Sequence, residues 1–221
     1  MKTGSHKESQ RDAIVEMAYS MFLESGYDNV TLKDIATACD ITPSLLQYYF
    51  PKRANIVVAM FYDLILRCST FVADEMKRVP GLPDDDSDFV CLDAFYHLFY
   101  RILHLEDDKL LRIYTVVLYD AELLKGGIDL LWSHPGDFVL PSRTFKSRVG
   151  AYALNGSLSQ FVPLYLSDPL NNDLDSFVTL ALGMCYGLLE VEGPRLENIK
   201  KASGVILDGD RAQAFVEQER P

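Results

Sequence analysis

Between Asp12 and Ser25 the apolar residues Ile14, Met17, Ala18, Met21 and Phe22 recur at i, i+3, i+4, i+7 and i+8, the spacing that lines one face of an α-helix. Gly26 ends that run, because glycine takes the left-handed conformation that closes a helix without steric cost. Thr31 then opens a short helix whose buried side is Leu32, Ile35 and Ala36, with Asp34 three residues on, where a capping box places its acidic member. Cys39-Asp40-Ile41 makes a tight turn into a third, very short helix. Thr42 is its N-cap, Pro43 sits at the first position, where no N–H is needed, and Pro51 closes it. The period puts Leu45, Leu46 and Tyr49 on one side and leaves Ser44, Gln47 and Tyr48 facing out.

The rest of the chain keeps the helical period. A fourth helix is predicted from Arg53 to about Val79, carrying Val57, Met60, Phe61, Leu64, Ile65, Cys68, Phe71 and Val72. Gly81-Leu82-Pro83-Asp84-Asp85-Asp86 reads as a loop whose acidic triple is a solvated turn. Helices follow over roughly Asp88 to Leu105 and Asp107 to Ser133, with a break at Gly126-Gly127 and a turn at His134-Pro135-Gly136-Asp137. Two longer ones run from Arg143 to Leu166, where Pro163 should kink the last turns, and from Leu174 to about Val191, capped by Asp173. Residues Pro194 to Pro221 read as one extra helix with an acidic tail. No strand pattern, repeat or low-complexity tract interrupts this. The expected fold is all-α. A three-helix helix-turn-helix domain occupies 1–52, and a larger helical effector-binding and dimerisation domain occupies 53–221.

Two short helices joined by a tight turn form the arrangement in which the second enters the DNA major groove. Three stretches carry a family resemblance. They are Ala18-Tyr19-Ser20-Met21-Phe22-Leu23-Glu24-Ser25-Gly26-Tyr27, then Val30-Thr31-Leu32-Lys33-Asp34-Ile35-Ala36, then Leu46-Gln47-Tyr48-Tyr49-Phe50-Pro51-Lys52-Arg53. In order and spacing, residues 9–66 resemble the DNA-binding domain of the TetR family of transcriptional regulators. The chain departs from that family's habits at Pro43, Gln47 and Arg53, where a small or basic residue, Tyr and Lys are more usual.

By position, Thr31 and Lys33 should contact phosphates, while Thr42, Pro43, Ser44, Gln47 and Tyr48 face the groove. Gln47 is the base-reading candidate, since a carboxamide donates to and accepts from adenine. Tyr49, Lys52 and Arg53 should hold the backbone. The resemblance further implies a twofold dimer, a pseudo-palindromic operator and a small-molecule effector in the body. Its final helix pair would supply the dimer interface: Tyr152, Gly156, Phe177, Leu180, Ala181, Met184 and Leu188. An apolar pocket would draw on Phe61, Leu64, Phe95 and Phe99, and on Leu103, Tyr114, Leu118 and Trp132. His97 and His104, seven apart on one helix side, could add polar recognition or be ordinary core or surface histidines.

Composition changes this picture in one respect. The net charge is −11, whereas nucleic-acid binders are often basic. Residues 1–55 carry six Lys or Arg against seven Asp or Glu, and the other 166 carry fifteen against twenty-five, so the head is near neutral and the body acidic. No run approaches the ~20 apolar residues of a membrane helix, the start Met1-Lys2-Thr3-Gly4 shows no secretory pattern, and the expected location is cytoplasmic without a membrane partner. Cys39, Cys68, Cys91 and Cys185 are far apart and read as small buried hydrophobes, with a redox role as the minor alternative. No metal cluster, phosphate loop or nucleophile-base pair appears, so no cofactor and no enzymatic activity are expected. The competing reading is a helical protein-interaction adaptor without DNA binding.

Overall fold

The computed structural model describes residues 3–78, 86–126 and 145–219, and among them the chain is helical, with no strand. The first helix, α1 (Thr3–Ser25), starts before the Asp12 that periodicity picks out. It ends at Gly26, whose φ of 82° closes it as expected, with the Gly26 N–H on the Phe22 carbonyl at 2.9 Å. A 3-10 turn (Tyr27–Asn29) leads to α2 (Leu32–Ala38) and α3 (Pro43–Tyr49). Between these two, Asp40 takes φ 52°, and the N–H groups of Asp40 and Ile41 reach back to the carbonyls of Thr37 and Ala36. Aspartate tolerates this left-handed position better than most side chains, so the tight turn forms without glycine. Ile14, Ala18, Phe22, Val30, Ile35, Ala36, Leu46 and Phe50 close over one another as the head's core.

From the head, α4 (Arg53–Met76) passes into the body, touching α1 on one side and α5 (Ser87–Leu103) and α6 (Leu105–Leu118) on the other. By length and composition α4 is also the one described helix long and apolar enough to cross a membrane, at mean hydropathy 1.8, which a search for an unbroken apolar run misses. Half of that stretch is buried in this fold, and its apolar face is core. The body is organised round α5, buried on nearly every side. Its Asp93 is also buried. There the carboxylate accepts from the hydroxyls of Tyr186 at 2.8 Å and Ser203 at 2.6 Å, which offsets the cost of taking it out of water.

The pair α7 (Phe145–Ser167) and α8 (Leu174–Leu188) packs side by side and antiparallel, and α7 continues through Pro163 to Ser167. Gly150 permits the approach: a Cβ there would sit 3.0 Å from Cys185 Sγ and 3.3 Å from the Leu189 side chain. Asp173 caps α8 as expected, accepting from the N–H groups of Asp175 and Ser176. That helix stops at Leu188 rather than near Val191, because Glu190 turns left-handed at φ 60° and the Val191 N–H folds back to the Tyr186 carbonyl at 3.0 Å.

The C-terminal segment forms two helices instead of the single one expected, α9 (Gly193–Leu207) and α10 (Asp210–Gln218), and both pack on the body. Against α4, α10 makes an antiparallel ladder at four-residue spacing. Arg67 pairs with Glu219, Phe71 stacks on Phe215 with centroids 4.5 Å apart, and Glu75 pairs with Arg211 at 2.7 Å. The expected loop at 81–85, the break at Gly127, the turn at His134–Asp137 and Trp132 lie outside the described residues.

Candidate nucleic-acid interface

One residue anchors α3. Leu46 is fully buried, while Leu45, assigned to the apolar side by the sequence pattern, is 39% exposed. A helix of seven residues resting on one point of core leaves most of its circumference outside. Thr42, Pro43, Ser44, Gln47 and Tyr48 are all exposed, Tyr48 at 66%. The half-buried Tyr49 ring meets Tyr48 edge-on at 5.4 Å, holding the second ring out from the helix. The Thr42 oxygen accepts from the Leu45 N–H at 3.2 Å, which caps the helix and leaves the hydroxyl hydrogen free to donate.

Lys33 on α2 and Lys52 before α4 flank this surface, both exposed and without an ion-pair partner among the described residues. Thr31 is first of all a cap. Its oxygen accepts from the Asp34 N–H at 3.2 Å, while its own N–H and hydroxyl donate to Asp34 Oδ2 at 2.9 and 2.6 Å. Those bonds hold the Asp34 carboxyl below its ordinary range. Arg53 is placed differently from the expectation that it meets the DNA backbone. Its Nη1 donates to the carbonyls of Tyr27 at 2.8 Å and Val30 at 2.5 Å, and the guanidinium lies 3.8 Å over the Tyr27 ring. It ties the start of α4 to the turn after α1, a role that sequence spacing gives no means of seeing.

Residues 14–60, which cover α1 to the first turns of α4, match the family described as bacterial regulatory proteins, tetR family. The head matches the TetR family. Among characterised relatives, the chain is similar to the biofilm operon icaADBC HTH-type negative transcriptional regulator IcaR of Staphylococcus aureus (strain Newman). The two are 25% identical over 118 residues, which cover 53% of this chain and 59% of IcaR. The protein of the same name in Staphylococcus epidermidis is 23% identical over 118 residues, covering 53% and 58%. The match thus spans less than two thirds of the relatives' length. Among solved structures, RolR in complex with the ligand resorcinol superposes with a TM-score of 0.52 at 17% identity, over 90% of this chain and 95% of that one. At that identity the likeness is one of fold.

Behind the TetR-type head, α7 and α8 expose a set of large apolar side chains to solvent. Leu180 is 54% exposed, Met184 49% and Leu188 48%, with Gly183 and Gly187 bare between them. Alongside, Val149, Tyr152 and Leu164 are exposed on α7, and a Cβ on Gly156 would touch nothing. Two residues assigned to this face by sequence belong elsewhere. Ala181 is fully buried inside the chain's own core, and Phe177 is half-buried, stacked on Phe161 at 5.4 Å. Val149 and Leu164, absent from the sequence assignment, replace them. The small residues Gly150 and Ser157 meet α8 of the same chain: Ser157 Oγ lies 3.7 Å from Met184 Sδ.

Of the residues expected to line a pocket, Phe61 and Leu64 border a cleft of about 350 Å³ between α1, α4 and α6. Phe95, Phe99, Leu103, Tyr114 and Leu118 are instead packed into the core. Tyr114 lies 4.8 Å from Phe61 and 5.4 Å from Phe99, centroid to centroid, and Phe99 stacks on Phe95 at 5.6 Å. A second, more polar cleft of about 370 Å³ is lined by Tyr100, Arg101, His104, Tyr165, Asp173 and Asp175. His97 and His104 do not act together: Nδ1 of His97 meets Asp175 at 2.8 Å, and that of His104 meets the buried Asp108 at 2.6 Å. Tyr165 donates to the other Asp108 oxygen at 3.0 Å, and burial, then this bond, pushes its hydroxyl up to about 12. Cys68, Cys91 and Cys185 are buried and Cys39 half-buried. Burial raises all four thiols, which disfavours the thiolate a redox role requires.

Proposed function

We propose that this protein is a DNA-binding transcriptional regulator that grips a pseudo-palindromic operator as a homodimer and leaves it when a small, largely apolar effector binds. The carrying observation is the outward row of α3. Thr42, Ser44, Gln47 and Tyr48 stand clear of the core on a capped helix, with Lys33 and Lys52, which have no ion-pair partner among the described residues, at its edges. A helix so mounted fits the major groove, and the lysines fit the flanking phosphates. Gln47 reads a base, Lys33 and Lys52 set register, and Thr42 donates its free hydrogen to a phosphate.

The exposed face made by Leu180, Met184, Leu188, Tyr152 and Gly156 supports the dimer, since an isologous contact buries the same patch on both copies and sets two α3 helices on successive grooves. The division at about residue 52 follows from this reading, with α4 as the lever between DNA-reading head and ligand-sensing body. IcaR is by name a negative regulator, and repression is the sign proposed here. A fluorescence anisotropy titration of DNA upstream of the protein's own gene tests the reading. Competitor-resistant binding at a palindrome, weakened by Gln47→Ala, is expected. Failure at every salt concentration, even after unfolding and refolding to strip ligand, would overturn it in favour of the adaptor.

A further inference from the structure

The cleft bordered by Phe61 and Leu64 lies where head meets body. Its floor is apolar, with Val15 from α1 and Ile102 and Leu110 from α5 and α6. Its mouth is charged: Glu16 comes from α1, Asp63 and Arg67 from α4, and Glu219 from the end of α10. Three carboxylates and one guanidinium thus line the mouth, and that guanidinium is already engaged. Nε and Nη2 of Arg67 fork onto the Glu219 carboxylate, both at 2.9 Å, while Nη1 pairs with Asp63. Glu16 has no ion-pair partner among the described residues. Beside these groups stands the half-buried Tyr19.

An apolar floor of this size suits a hydrocarbon or aromatic body. The excess negative charge at the rim, in a medium less polar than bulk water, attracts a positive one, and the Tyr19 ring offers the kind of surface on which organic cations rest. An anion would have to break the Arg67–Glu219 fork and would meet Glu16 and Asp63 with like charge. We propose that this hinge cleft is a regulatory site for an organic monocation with an apolar body. The proposal builds on the regulator reading above. One wall of the cleft is the head's α1 and the others are the body's α4 and α6. A cation that fits one head orientation better than another therefore shifts the balance between them, and the same free energy returns as a change in DNA affinity.

The experiment titrates the full chain, without DNA, with tetraphenylphosphonium and tetraphenylborate, ions alike in shape and opposite in charge, by isothermal titration calorimetry. One phosphonium per chain is expected, with the borate at least tenfold weaker. Glu16→Gln breaks no ion pair among the described residues and should weaken phosphonium binding about threefold. The Glu16→Gln/Glu219→Gln pair should weaken it about tenfold, as expected for charges at a partly screened rim. Equal binding of the two ions, no binding of the phosphonium, or indifference to Glu16→Gln would overturn the site. A second titration with the operator present should show weaker DNA binding when the phosphonium is bound, and an unchanged affinity would overturn the regulatory role. Because the first titration contains no DNA, its failure leaves the DNA-binding reading standing, and failure of DNA binding leaves the cation result intact.

Discussion

Arg53 separates a structural reading of the head from a phosphate-contact one. Two charge-assisted bonds to backbone carbonyls contribute up to roughly 1.5–3 kcal/mol each where water is excluded. With 26% of the side chain exposed, about 1 kcal/mol apiece is reasonable. The stack on Tyr27 adds about 0.5–1 kcal/mol. Asp28, 3.9 Å away and almost wholly exposed, adds little. Arg53→Ala should therefore destabilise the protein by about 2.5 kcal/mol, a fall in Tm of about 5–10 °C for a chain of this size. Arg53→Lys keeps the charge but loses the planar group over Tyr27, and should fall between. The assays are thermal unfolding and the salt dependence of DNA binding. Each lost phosphate contact lowers the slope of log K against log salt by about 0.9. Lys33→Ala and Lys52→Ala should each show that change with little effect on Tm, and Arg53→Ala the reverse. A stable Arg53→Ala protein with a reduced salt slope would refute the structural assignment.

Leu180→Asp places a charge in the exposed α8 face without touching the chain's own core, so sedimentation at micromolar concentration should find monomers with an unchanged helical spectrum; persistence of a dimer would move the interface elsewhere. Gly150→Ala forces a methyl to 3.0 Å from Cys185 Sγ and should destabilise by about 1–3 kcal/mol in urea unfolding, whereas Gly156→Ala, facing open space, should leave monomer stability nearly unchanged. Asp34, its carboxyl lowered by Thr31, stabilises the folded state above the ordinary carboxylate value of 3.8, and loses that contribution as pH falls through its folded value. The stability gap between wild type and Asp34→Asn should accordingly be present at pH 7 and close below pH 3.8 in denaturant titrations.

What the sequence discloses about the head is what local chemistry decides. Thr31 with Asp34, Thr42 with Pro43, and Gly26 are caps and stops whose partners lie within four residues, so they can be read without a structure. Arg53 and Asp40 escape that reading for different reasons. Arg53 acts on carbonyls 23 and 26 residues away, and the Asp40 turn uses a residue whose left-handed conformation is an option rather than a rule. In the body, periodicity marks apolar positions on α8 but not which neighbour covers each one. Leu174, Val178, Ala181, Leu182 and Cys185 turn inward while Leu180, Met184 and Leu188 turn out, two apolar faces on a single helix. One stripe through Ala181 merges them, which is why that residue was assigned to the wrong side. Periodicity likewise could not tell that Phe95, Phe99, Leu103, Tyr114 and Leu118 fill core while Phe61 and Leu64 border a cleft: aromatic density round α5 fills space as readily as it lines it.

The acidic composition bears on how the protein would meet DNA more than on whether it does. Nearly all of the excess negative charge lies beyond residue 55, in the body, while the head is close to neutral. At physiological salt, fields fade over about 8 Å, so carboxylates on the body weigh little on a phosphate held at the head. They weigh more at low salt and at long range, during encounter, when an approach with the body foremost is repelled and one with the heads foremost is not. An acidic body would thus limit non-specific adhesion without weakening the proposed lysine contacts. Lowering salt should consequently strengthen binding at the operator less steeply than the number of contacted phosphates alone implies, because repulsion from the body grows under the same conditions.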